Sequence, residues 1–72
     1  MAIIEVKTEI TGNVWKIETT LGQRLDEDEA IMILESMKME IPIAAEKAGS
    51  VTELKVAEGD FVNEGDVIAV IN

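Results

Sequence analysis

The sequence predicts an all-β chain built from two similar halves, and three observations carry that prediction. Gly12-Asn13-Val14 returns as Gly49-Ser50-Val51, 37 residues on, and the two segments continue together without a gap, with Gly22 on Gly59, Leu25 on Val62 and Ala30 to Leu34 on Val67 to Ile71. The run Val67-Ile68-Ala69-Val70-Ile71 is rich in β-branched residues and follows Gly65-Asp66, which is strand chemistry. Met39, Ile41 and Ile43 alternate with Glu40, Pro42 and Ala44, the period of two of a half-buried strand.

One stretch argues locally for a helix. From Asp26 to Ile41 the chain offers Asp26 as N-cap, Glu29 to close a capping box, and good helix formers after them. The repeat decides against it, because Ala30 to Leu34 is the mate of the strand-like Val67 to Ile71. Only Gly12, Val14, Gly22, Glu27 and Ile31 are identical to their mates over 24 aligned positions, so the apolar pattern and the glycines carry the repeat.

The elements follow in order. Ile3 to Ile10 alternates as a first strand that Thr11-Gly12 breaks, and Asn13 to Thr19 reads as a second, with Trp15 partly exposed because Val14 and Ile17 do not share its face. Leu21-Gly22-Gln23 turns, and Leu25 leads into the acidic run Asp26 to Glu29. That run is not a calcium loop: its fifth position is Ala30 and no Gly follows at the sixth. Ala30 to Leu34 and Met39 to Ile43 then form a tight hairpin with Met37 and Lys38 at its tip. Pro42 lacks an N–H and belongs at a sheet edge or bulge. In the second half Val51, Leu54 and Val56 supply a strand, Glu58-Gly59-Asp60 turns, Phe61-Val62 is a short strand, and Asn63 to Asp66 turns again. Gly65 suits a positive φ there, and its mate Asp28 tolerates the same conformation at some cost.

Composition bounds the function. The 72 residues suffice for one domain, 1–72, whose core is built from Ile, Val, Leu and Met, because Trp15 and Phe61 are the only aromatics. With no Cys and no His there is no disulfide, no zinc site of the usual kind, and neither the nucleophile nor the base of the common catalytic pairs. Ser36 has no base nearby in sequence, the carboxylates sit in turns, and the glycines fall singly, so a catalyst is not expected. Absence of Cys fits a cytoplasmic protein, nothing at Met1 to Glu5 resembles a signal peptide, and the apolar run Ala30 to Leu34 is too short for a membrane. A net charge of −9 repels phosphate backbones and acidic lipid, so neither nucleic acid nor membrane is an expected partner.

The hairpin tip remains. Methionine at a turn covers no core, and Asn-Gly or Asp-Gly would serve the turn better. A single lysine held there between two methionines suits one task, to be recognised and acylated by a modifying enzyme. Lys7, Lys16, Lys47 and Lys55 lack such surroundings and serve solubility.

Glu35-Ser36-Met37-Lys38-Met39 resembles the attachment motif of biotin carboxyl carrier proteins, commonly Glu-Ala-Met-Lys-Met, in which the lysine carries biotin as an amide. The resemblance covers the whole chain: the glycine opening each half and Glu58 to Asp66 are also family features, and the length is similar to that of the short biotin/lipoyl attachment proteins. It implies a flattened β-barrel of two four-stranded antiparallel sheets, with the hairpin at one end and both termini at the other. It further implies that a biotin protein ligase joins biotin to Lys38 using ATP, recognising Glu35, Met37, Met39 and Glu40. Biotin carboxylase would then load carboxyl and a carboxyltransferase unload it, the chain itself being a non-catalytic carrier. Acetyl-CoA carboxylase of fatty acid biosynthesis is one such setting, with another acyl-CoA or pyruvate as other possible acceptors.

Three departures are visible. Ser36 replaces the commoner alanine, the usual proline near the first glycine is absent from Glu9-Ile10-Thr11, and the gap-free repeat leaves no room for the protruding thumb of some bacterial carriers. Two rivals stand beside this reading. Lipoyl domains share the fold but typically read Asp-Lys-Ala at the tip, whereas this chain has Met-Lys-Met. The other rival is an unmodified acidic β-module that binds a partner through Met37 and Met39.

Overall fold

The computed structural model describes residues 3–72; Met1 and Ala2, with which the sequence reading begins the domain, lie outside the described residues. Eight strands follow one another: β1 (Ile4–Lys7), β2 (Gly12–Ile17), β3 (Arg24–Leu25), β4 (Ala30–Ser36), β5 (Met39–Ala44), β6 (Gly49–Leu54), β7 (Phe61–Val62) and β8 (Val67–Ile71). They form two four-stranded antiparallel sheets, ordered β1-β8-β6-β3 and β5-β4-β2-β7. No helix occurs among the described residues, so the acidic stretch runs into a strand at Ala30. The all-β expectation and the two-sheet architecture are both met.

The repeat is structural as well as sequential. β2 and β6, β3 and β7, and β4 and β8 each begin 37 residues apart. Hydrogen bonds repeat with the same offset and cross between halves: Gly22 N–H donates to Val51 O at 2.7 Å, and its mate Gly59 donates to Val14 O at 2.8 Å. Thr8 and its mate Ala45 likewise bind the turns ending at Asp66 and Glu29, with N–H···O distances of 3.0 and 2.9 Å. The acidic turn has a use of its own. Glu29 Oε1 accepts from Asp26 N–H at 3.0 Å, as Asp66 Oδ2 accepts from Asn63 N–H at 2.8 Å, and Asp28 takes φ +72° where Gly65 takes +92°.

Strict alternation fails at four places, and the register explains each. Val14 pairs with Leu34 and Lys16 with Ile33, which leaves Trp15 as the extra residue of a β-bulge; Thr52 is its mate in β6. Ile31 and Ile68 are the extra residues of a second symmetric pair of bulges. A bulge turns two consecutive side chains to one side. Ile31 and Met32 therefore both enter the core, as Ile68 and Ala69 do, while Trp15 and Lys16 both face out.

Strand limits differ modestly from those predicted. The first strand ends at Lys7, because the buried Thr8 hydroxyl donates to Ile10 O at 2.7 Å and accepts from Ile10 N–H at 3.1 Å, drawing that backbone away from a ladder. The second begins at Gly12, which already pairs with Val62. Pro42 lies in β5, an edge strand, where a missing N–H costs no ladder bond. The core is aliphatic, with Val14, Leu25, Ile31, Met32, Leu34, Val51, Val62, Ile68 and Ile71 buried. Thr19 is the exception: its buried hydroxyl oxygen has no partner, at the place where the second half has Val56.

Candidate functional site

The site is the turn between β4 and β5. Glu35 pairs with Glu40 and Ser36 with Met39, so only Met37 and Lys38 are left to reverse the chain. Both have positive φ, +52° and +67°. That is the geometry of a two-residue turn whose twist matches the flanking strands, and it favours Asn-Gly because a Cβ crowds the backbone there. Left-handed geometry costs a residue with a side chain roughly 1–2 kcal/mol. Two such residues at one tip, neither of them Asn, Asp or Gly, mean that something other than turn stability selects them.

Burial separates the methionines by role. Met32 is fully buried and fills the core, whereas Met37 is 93% exposed and Met39 63%. Lys38, Glu35 and Glu40 are exposed. The structure thus brings together all five residues singled out from the sequence on one protruding hairpin. Glu35 and Glu40 face each other across the strands, and like charges so placed repel. They form the root of a tip that presents one cation, Lys38. The ion pair seen among the described residues, Glu53 with Lys55, lies at the other sheet, where Glu53 holds the Lys55 ammonium above its usual pKa. A primary amine on an exposed turn, with no carboxylate bound to it, fits amide formation: nothing must be broken to reach it.

The hairpin root is fixed from behind by Gly12. A Cβ on Gly12 would overlap the Glu35 carbonyl oxygen and press on the Ser36 Cβ at 3.3 Å. β2 therefore approaches β4 closely just where the tip begins, which explains a glycine that starts a strand without needing positive φ.

The exposure of Phe61 was not anticipated from the sequence, whereas that of Trp15 was. Phe61 is 62% exposed on β7, and Trp15, expected to be partly exposed, is 50% so on β2. The available signal was the repeat itself, which sets Phe61 against Arg24 and Trp15 against Thr52, polar residues on the other sheet.

Residues 2–71 match the family model described as "Biotin-requiring enzyme". The chain belongs to this family. It is 51% identical over 63 residues to the Biotin/lipoyl attachment protein of Bacillus subtilis, covering 88% of this chain and 86% of that one. It is 40% identical over 68 residues to the Biotinylated protein TB7.3 homolog of Mycobacterium leprae, covering 94% and 96%. Among solved structures it superposes on the urea carboxylase of Kluyveromyces lactis with a TM-score of 0.94 at 32% identity, over the whole of this chain but only 6% of that one. The biotin-requiring family thus contains this domain both as nearly an entire short protein and as a small part of a large carboxylase. No helix among the described residues is long and apolar enough to cross a membrane.

Proposed function

We propose that residues 1–72 form a single carrier domain, that Lys38 bears biotin as an amide through Nζ, and that the chain carries carboxyl without catalysing its transfer. The observation that carries this reading is the pair of positive φ angles at Met37 and Lys38, in a chain of the biotin-requiring family. The attached group would supply a ureido ring that accepts carboxyl at biotin carboxylase and releases it at a carboxyltransferase. The protein's own part is mechanical. β4 and β5 hold the attachment point clear of the sheets, and a long arm on a rigid root raises the effective concentration of its end at two separate active sites. Glu35, Met37, Met39 and Glu40 form the surface that a biotin protein ligase reads. The setting is cytoplasmic, with acetyl-CoA carboxylase of fatty acid biosynthesis as the first acceptor system to assay.

Intact mass and a streptavidin blot after incubation with biotin ligase, ATP and biotin test this, beside the Lys38→Ala variant. One added biotinyl group that is absent from the variant is the expected result. Modification of Lys38→Ala would move the site elsewhere and overturn the assignment. Lys38→Arg should also stay unmodified while melting at the same temperature. A second reading, lipoate on the same amine, is favoured by the name of the Bacillus relative, and incubation with lipoate ligase distinguishes it.

A further inference from the structure

The outer face of the sheet β5-β4-β2-β7 carries both aromatic residues of the chain, and neither supports the core. Asn13 pairs with Phe61, and Trp15 lies two residues along β2 on the same side, so the two rings stand diagonal to each other. Val14 and Val62, pointing inward between them, fill the core instead. The internal repeat supplies a control for what folding requires. The same two places on the other sheet hold Thr52 and Arg24, and that sheet forms with the same bulge and the same pairing. Exposed aromatic surface at these positions is therefore not needed for the fold. It occurs only on the sheet whose β4–β5 turn carries Lys38.

The face has a second property. The rings share it with Glu35 and Glu40 in the row of Asn13 and Phe61, and with Lys16 beside Trp15. Glu58 and Asp60 flank it in the turn before β7, Glu58 Oε2 accepting from Ile17 N–H at 3.0 Å. Two aromatic rings rimmed by carboxylates, on a chain of charge −9, match a protein surface rich in arginine and lysine, whose guanidinium groups stack on such rings. Self-association through this face would oppose like charges, so a second copy is the poorer fit.

We infer that this face, centred on Trp15 and Phe61, is the docking surface for the ligase that acylates Lys38. The inference rests on the reading of Lys38 as the acceptor. Reach selects the ligase over the carboxylase enzymes. A ligase must bring the lysine Nζ itself into its active site, and so must lie against the protein beside the hairpin. Enzymes that act on the end of the long arm need no such approach. Phe61 is level with Glu35, three residues from the tip and two strands away, about 10 Å in each direction at the usual rise and strand spacing. A bound protein covering the hairpin root covers Phe61 as well.

The test is the kinetics of biotinylation by a biotin protein ligase at saturating ATP and biotin, with the carrier concentration varied. The Trp15→Thr/Phe61→Arg double variant places on this face the residues that the other half bears at the same positions, and Thr52→Trp/Arg24→Phe makes the converse exchange on the other sheet. The expected result is a rise in KM of about tenfold or more for the first variant, as for loss of a Trp-containing hot spot, with kcat nearly unchanged and the melting temperature retained. The second variant should keep the wild-type KM. Equal KM for wild type and both variants would overturn the docking surface while leaving Lys38 as the acceptor. No modification of the wild type would overturn both readings together. A wild-type dimer in light scattering that the first variant dissociates would assign the face to self-association and overturn the inference too.

Discussion

Met37 shows at the scale of one residue how far the tip departs from ordinary turn chemistry. It has φ +52° with its side chain almost wholly in solvent, so neither backbone nor burial favours methionine there. Asparagine tolerates this conformation and is preferred at the first position of such a turn. Met37→Asn should therefore stabilise the domain by about 1 kcal/mol in chemical denaturation, from relief of left-handed crowding. It should also slow biotinylation of the unchanged Lys38. A variant that is more stable and modified as fast would show that the methionine is not read. This misfit was legible in the sequence, because turn chemistry is local. Trp15 was legible, since its partial exposure was expected and alternation from the inward Val14 already turns it out; the bulge that turns Lys16 outward beside it arises from pairing with β4, and no local pattern states it.

Elements are where the repeat pays, since it overrode a plausible helix from Asp26 to Ile41 and located the strands from the second half. Gly12 and Gly49 open matching strands, yet their surroundings differ. A Cβ on Gly12 would overlap the backbone carbonyl of Glu35 at the hairpin root, whereas one on Gly49 would first overlap the Ile71 Cγ2 methyl, a side-chain atom, and reach the Asn72 carbonyl oxygen only at 3.3 Å. Gly12→Ala and Gly49→Ala should both destabilise, by about 1–3 kcal/mol as overpacking does, with the first the larger. At a temperature where both variants remain folded by circular dichroism, only Gly12→Ala should reduce biotinylation, because only it displaces Glu35 and Ser36. Equal activity in the two would separate the glycine from the site. The need for a glycine at each half's start was visible as a repeat, but what each one touches was not, because the contact joins β2 to β4 across the sheet. The short first strand has a similar cause: Thr8 folds its hydroxyl onto Ile10, and sequence alternation carried the strand past it.

The whole molecule is a small aliphatic core inside a strongly acidic shell. With 15 acidic and 6 basic residues and, among the described residues, a single ion pair, most carboxylates face solvent without a cation against them. Net charge of this size works against the compact state by self-repulsion, and the same field draws in a basic partner. Salt screens both, the Debye length falling from about 30 Å at 0.01 M to about 3 Å at 1 M. The two consequences have opposite sign. Raising sodium chloride should raise the melting temperature, since repulsion among the acidic groups weakens while the buried aliphatic core is unaffected by screening. Over the same range kcat/KM for biotinylation should fall, through KM, because attraction between the acidic face and a basic ligase weakens. A general loss of carrier integrity cannot imitate this pair of trends, for it would lower both quantities together. If melting temperature rose and kcat/KM stayed constant, the carboxylates around Trp15 and Phe61 would act in solubility alone, and the rings would have to dock without electrostatic help.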